Sequence, residues 1–253
     1  MKKRVIVKPE TLEKIKNDKQ LWIGTLTGKL QGFHGLTHAC TCNERCAKLA
    51  KNPFNVCHDC YGFKGLRVRK GAKAHYERNS TLLSERIIPI EELPYVNDHV
   101  FRFETHGDWI NMNSALNEIH IAEKNPHCHF TVWTKRIDIL RKLADAGVKQ
   151  PDNFHIKISS IQKNKVLPQS VKESLAKKGW KATYFTVMEL PYLIDTYSLE
   201  TLQKEGDKII TCGGRKCLTC MKCYGDKEYH DEVELLKEHV AKAKKQGVKI
   251  GGN

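Results

Sequence analysis

The chain has 253 residues, with 43 Lys and Arg against 29 Asp and Glu, a formal net charge of +14 and ten cysteines. A chain of this length can bury a core without covalent staples, and no apolar run is long enough to cross a bilayer. The amino-terminal stretch Met1 to Pro9 has no apolar signal region, so secretion with disulfides is not expected and a cytoplasmic location is, in the host cell if the source is viral.

In chain order, Leu21 to Thr27 reads as a strand, and the first cysteine segment follows it: Cys40, Cys42, Cys46, Cys57 and Cys60. Gly71 to Arg86 carries helical spacing. His99 to Glu104 is a short strand, and Asn113 to Glu123 is a helix capped by Asn111 or Asn113. Strand His129 to Trp133 and helix Ile137 to Ala146, stopped by Gly147, come next. Strand Phe154 to Ile158 precedes a helix that starts near Pro168 and ends before Gly179. Strand Ala182 to Val187, a short helix near Leu199 and strand Lys208 to Thr211 lead to the second cysteine segment, Cys212, Cys217, Cys220 and Cys223. A final amphipathic helix is expected over about 229–245. Short strands separated by helices predict an α/β fold with a parallel sheet, because parallel strands need crossovers. No Ser/Gly/Pro-rich linker breaks the chain, so residues 1–253 are read as a single domain with its core at about 21–225.

Thiols separated by two residues point the same way and converge on a metal or cluster. Cys217, Cys220 and Cys223 form three thiolates at successive two-residue gaps, the run of four-iron cubanes, with Cys212 as the fourth ligand. Zinc is the alternative, since zinc ribbons also use Cys-x-x-Cys pairs followed by glycine, as in Cys57 to Gly62. In the first segment Cys57 and Cys60 are the firm pair. Cys46, Cys42 and Cys40 compete for the remaining places, with Cys42 preferred and Cys40 expected to matter least.

In parallel α/β folds ligands bind beyond the carboxyl ends of the strands. Those ends carry Glu104, His106, Gly107 and Asp108, then Lys135 and Arg136, then Ser159 and Ser160, then Met188 and Glu189. Glu104, His106, Asp108 and Lys135 are the candidate catalytic residues. The plainer reading of residues 104–108 is a tight turn whose Asp108 caps a helix.

Several pieces taken together resemble a phage family of cysteine-rich proteins of the gene-product-88 type. They are Cys46-Ala-Lys-Leu, Asn52-Pro-Phe, Cys57-His-Asp-Cys60-Tyr, Tyr76-Glu-Arg-Asn79-Ser, Arg102 to Asp108, Asn125-Pro126, Trp133-Thr-Lys135 and Cys212 to Tyr224. The resemblance spans about 21–225 and implies a phage or prophage source. It also implies three recurrent cysteines in the first group, matching Cys46, Cys57 and Cys60, with Cys40 and Cys42 outside the pattern. More distantly, a strand, a cysteine loop and further βα units resemble the partial barrel of radical S-adenosylmethionine enzymes. That likeness implies an open iron on a first 4Fe-4S cluster, Gly107 and Asp108 at the cofactor's amine, and an auxiliary cluster on Cys212 to Cys223. The spacing Cys46-x10-Cys57-x2-Cys60 departs from the loop of those enzymes.

The positive charge favours polyanions over acidic proteins or membranes, although the lysines are spread along helix faces and no recognition module is present. The leading expectation is therefore an iron–sulfur protein with one or two 4Fe-4S clusters, a candidate redox or radical enzyme acting on a small molecule or a nucleic acid. The alternatives are a zinc-binding, nucleic-acid-interacting protein and a structural phage protein.

Overall fold

In the computed structural model, residues 8–203, 209–212, 216–224 and 231–250 are described. Helix α1 (Pro9–Asn17) precedes a two-residue strand β1 (Gly24–Thr25), and the chain turns back as β2 (His34–Leu36). The first cysteine segment follows, carrying α2 (Glu44–Ala50) and running into α3 (Tyr61–Val68) and α4 (Lys70–Glu85). Strands and helices then alternate: β3 (Val100–Phe103), α5 (Met112–Lys124), β4 (His129–Thr134), α6 (Ile137–Asp145), β5 (Phe154–Ser159) and α7 (Gln169–Ala176). The chain continues as β6 (Ala182–Met188), α8 (Leu190–Tyr197), α9 (Leu199–Gln203), β7 (Ile209–Cys212), α10 (Cys217–Cys220), β8 (Asp231–Leu235) and α11 (Lys237–Lys245).

Local chemistry explains these boundaries. Asn111 opens α5 with a reciprocal capping box to Ser114. Gly147 and Gly179, both at positive φ, stop the turns after α6 and α7. β4 to β6 are rich in aromatic and β-branched residues, which suit a pleated surface.

The eight strands form one sheet in the order β1-β2-β3-β4-β5-β6-β8-β7. β1 is antiparallel to β2, and every other pairing is parallel. Successive right-handed crossovers in a sequential order place their helices on one face of the sheet. Accordingly Phe101, Phe103, Phe130, Val132, Phe154, Ile156 and Ile158 share one core with Leu83 of α4, Ile119 of α5, Leu140 and Leu143 of α6 and Leu175 of α7.

Strand alternation turns the intervening residues to the other face. By register these are Arg102, Thr131, Trp133, His155, Lys157, Thr183, Phe185 and Glu232. A one-sided helix layer and a polar opposite face are barrel-like, but the sheet is not closed: its end strands are β1 and β7.

Two expectations change. The helix expected over 229–245 is strand β8 followed by α11, and residues 229 and 230 lie outside the described residues. The alternation Asp231-Glu-Val-Glu-Leu235, with Glu232, Val233 and Leu235 buried, is what a strand requires. The first cysteine segment follows β2 rather than the strand expected over Leu21 to Thr27, of which Gly24 and Thr25 alone are paired.

Candidate metal centres

The first cysteine segment leaves β2, runs over the carboxyl ends of β2, β3 and β4, and returns as α3. Asn43 ties it down. Its Oδ1 accepts from Arg45 N (3.0 Å) and Cys46 N (3.4 Å), capping α2, while its Nδ2 donates to Asp108 O (2.9 Å) and Trp109 O (3.2 Å) beyond β3. The segment also reaches β5's loop: Val56 N donates to Ile161 O (2.9 Å), and Asn55 bridges Gln162.

Two glycines permit the close approach. A Cβ on Gly107 would lie 2.4 Å from His38 O. A Cβ on Gly62 would meet His106 O at 2.8 Å and the Cys40 and Cys60 sulfurs at 3.3 Å each. The glycine that ends the Cys57-x-x-Cys60 knuckle therefore lets α3 start against both sulfurs and the β3 turn.

Four thiols lie within electrostatic reach here. Cys40 hydrogen-bonds Cys60, Cys46 acts on Cys40, Cys57 acts on Cys46, and Cys60 acts on Cys57. The Cys40 bond brings Cys60 down to about 6, whereas the same bond, with burial, holds Cys40 well above the usual thiol range. Burial raises Cys46 and Cys57, with the Lys135 ammonium opposing it at both. Cys42 does not join them. It is exposed and faces Glu77, Thr41, Ser80 and Lys73. The structure thus places Cys40, Cys46, Cys57 and Cys60 together and leaves out Cys42, the reverse of the order of preference expected for Cys40 and Cys42.

The candidate catalytic residues divide. Glu104, at φ 54°, stands in a left-handed conformation that few non-glycine residues adopt. Its Oε1 lies 2.5 Å from His38 Nδ1, and Glu118 Oε1 lies 3.9 Å from the same nitrogen; all three side chains are fully buried. Burial, together with the adjacent Glu104 charge, holds Glu118 well above the carboxylate range, and the His38 bond keeps Glu104 ionised against its own burial. Glu118 therefore keeps the proton that the two carboxyls share. Its Oε2 accepts from Trp109 Nε1 at 2.7 Å.

Asp108 is also buried but fully engaged. Oδ1 accepts from Thr134 Oγ1 (2.6 Å) and Trp109 N (2.9 Å), and Oδ2 accepts from Lys135 N (2.8 Å). It caps no helix; it clips the end of β3 to the end of β4. Lys135 reaches Cys46, Cys57 and Asp108 electrostatically. His106 sits between Tyr61 and Tyr76, and burial pushes it down to about 4. Ser160 is taken up by its own loop, donating to Gln162 O and Lys165 O. His38 and Glu118 escaped the sequence reading. The signal for Glu118 was a carboxylate three residues after Ala115 and four before Ala122, on the buried face of α5.

The second group lies under the polar face of the sheet. Cys217 and Cys223 pack with Tyr224, Trp133 and Val100, and Cys212 ends β7 opposite Glu234. Cys212, Cys217 and Cys223 act on one another through Cys212, and Cys220 acts on Cys217. Charged residues of both signs surround them, with Lys29 paired to Glu234 at 2.6 Å and Glu232 acting on Cys223. Lys29 and Arg102 act on Cys217 and Lys157 on Cys223. Arg102 stacks 3.2 Å over the Trp133 ring, and Lys157 pairs with Glu232 at 2.6 Å with both side chains buried. The isolated Cys128 is buried elsewhere, in the main core.

Four converging thiols in each segment suit soft, thiolate-binding metals, iron–sulfur clusters or zinc. A single zinc holds sulfurs at about 2.3 Å, so its ligands crowd together. Among the described residues one group alone brings three ligand atoms within 4.8 Å of one another, His38, Glu104 and Glu118, and it contains no sulfur. The cysteine sulfurs form no such group among the described residues. No described helix is long and apolar enough to cross a membrane. No curated protein and no solved structure matches the chain. The family described as gene product 88 matches residues 8–226, and by that match over most of its length the chain belongs to the gene product 88 family.

Proposed function

We propose that this protein is an iron–sulfur protein with two cluster sites, one on Cys40, Cys46, Cys57 and Cys60 and one on Cys212, Cys217, Cys220 and Cys223. The observation that carries the reading is the meeting of Cys40, Cys46, Cys57 and Cys60 at the carboxyl ends of the strands. Four thiolates complete a four-iron cluster, and a completed cluster supplies one-electron redox chemistry. The chain's own residues hold and tune it. Asn43 and Asp108 fix the loop, Gly62 and Gly107 allow its close approach, and Lys135 sets a positive charge against the thiolates.

Activation of S-adenosylmethionine is the narrower reading. It requires Cys40 to remain a thiol hydrogen-bonded to Cys60 so that one iron stays open. It also requires the cofactor's amine to compete with three bonds already made to Asp108. The geometry favours the fully ligated centre.

Anaerobic purification tests the proposal. The expected product is brown and holds iron with acid-labile sulfide. A colourless, air-stable protein with stoichiometric zinc and no sulfide would replace the proposal with the zinc reading. A paramagnetic signal of the reduced protein that shifts on adding S-adenosylmethionine, with Cys40→Ala keeping its iron, would favour the radical chemistry.

A further inference from the structure

The outer wall of the first cysteine segment carries a surface that metal binding alone does not explain. Between residues 44 and 73 there are eight lysines and arginines against two carboxylates, Glu44 and Asp59. Lys48, Lys51, Lys64, Arg67, Arg69 and Lys70 are exposed. Asp59 is already shared, 3.3 Å from Lys64 and 3.2 Å from Lys163. Two exposed aromatic residues lie in the same stretch of chain. Phe54 is 75 % exposed and Tyr61 63 % exposed.

The Phe54 main chain and the Tyr61 side chain are held by the segment's own fold. Phe54 O accepts from Lys163 N at 3.3 Å, and Phe54 N donates to Asn52 Oδ1 at 3.0 Å. Tyr61 donates its hydroxyl to Thr105 O and sets its ring edge against His106. The rings flank the Cys57-x-x-Cys60 knuckle, three residues before its first sulfur and one after its second.

We infer that this rim binds a single-stranded stretch of nucleic acid, with bases stacking on Phe54 and Tyr61 and phosphates on the surrounding lysines and arginines. Charge favours a polyanion. The rings select among polyanions, because unpaired bases offer open faces that duplex bases, stacked on their neighbours, do not. A strand lying there passes over the first centre, and Tyr61 connects the two: its hydroxyl is within electrostatic reach of Cys60 and Lys135 and also of Arg102 and Lys29. The inference rests on the metal-centre reading only in that a bound metal fixes the knuckle between the rings.

Fluorescence anisotropy of the full chain with a labelled single-stranded oligonucleotide tests it, with iron and sulfide measured on the same samples. Phe54→Ala is expected to weaken binding about tenfold while the metal content is unchanged. Reversing Arg67 and Lys70 to Glu should reduce the steepness of the salt dependence by about 0.7 for each phosphate no longer neutralised. The matching duplex should bind less tightly. Equal affinity for duplex and single strand, or a Phe54→Ala protein that binds as wild type does, would overturn the inference. So would equal or tighter binding to anionic phospholipid vesicles, which would make the rim a membrane surface. Single-strand binding by a protein that holds no iron or sulfide would sink the cluster reading and leave this one standing. A fully loaded protein that ignores the oligonucleotide would do the opposite.

Discussion

The two cysteine groups solve the same problem on different ground. The first is hung on strand ends and clamped by hydrogen bonds to backbone: the Asn43 amide to the β3 turn, Val56 N to the β5 loop, and the Asp108 carboxylate to Lys135 N at the end of β4. Its charged neighbours are the buried carboxyls Glu104 and Asp108 with Lys135 and Arg45. The second lies against a sheet face beside Arg102 and the ion pairs Lys29–Glu234 and Lys157–Glu232. Surrounding charge and hydrogen bonding tune cluster potentials, so two clusters bound as proposed would differ in potential.

The sharpest way to break this comparison is to remove ligands one at a time. Cys57→Ala and Cys40→Ala should each lose the iron of the first centre and keep that of the second, and Cys217→Ala should do the converse. Cys42→Ala should lose neither. Metal-binding energy on the order of 10 kcal/mol is tied to folding at such sites, so the ligand variants should also unfold at lower denaturant. Iron per chain decides it. If Cys40→Ala retains all its iron while Cys42→Ala does not, the placement of the first centre is wrong.

The next effect belongs to the second region. Lys157→Met leaves Glu232 charged, buried and unpaired, which should cost about 3–5 kcal/mol in an unfolding titration. The double change Lys157→Met with Glu232→Leu should recover most of that loss, since an apolar pair of similar volume is often neutral. A double variant as unstable as the single one would show that Glu232 serves the neighbouring Cys223 rather than the ion pair alone.

A smaller change isolates the first region. Gly62→Ala pushes a methyl group toward His106 O and the two sulfurs, and overpacking of this kind costs about 1–3 kcal/mol. It should lower the iron of the first centre and leave the second untouched. Equal loss from both would mean that the centres are not independent.

Much of the fold was legible and the ligand geometry was not, for separable reasons. β3 to β6 and α4 to α7 carry strong periodicity, caps such as Asn111 and stops such as Gly147 and Gly179, so local and tertiary preferences agree. β2 has three residues, one of them glycine, and is held by its partner β3 rather than by its own propensity. β8 was hidden because its alternating acidic residues run straight into the lysine-rich α11. The choice between Cys40 and Cys42 depends on a 3₁₀ turn over Cys40–Cys42. At three residues per turn, residues two apart point to different sides. Cys40 faces Cys60 and Cys42 faces solvent, a distinction that spacing in the sequence does not carry.

The smallest expected effect is a pH dependence confined to the turn beside the first centre. Burial between Tyr61 and Tyr76 lowers His106 from 6.5 to about 4. Between those two values the unfolded chain binds a proton that the folded chain refuses, so stability falls as pH drops from 6.5 toward 4 and is unaffected above 6.5. The full shift would correspond to about 3 kcal/mol, and partial exposure of the ring reduces it to about 1–2 kcal/mol. Acid also attacks a bound cluster, but wild type and His106→Gln share that loss, so their difference isolates the imidazole. Urea midpoints at pH 7 and pH 5 should therefore converge between the two proteins as pH falls, the variant losing less. Parallel losses would mean that the ring opens to solvent and takes up its proton freely, and the tight packing of the β3 turn against the cysteine segment would then have to be abandoned.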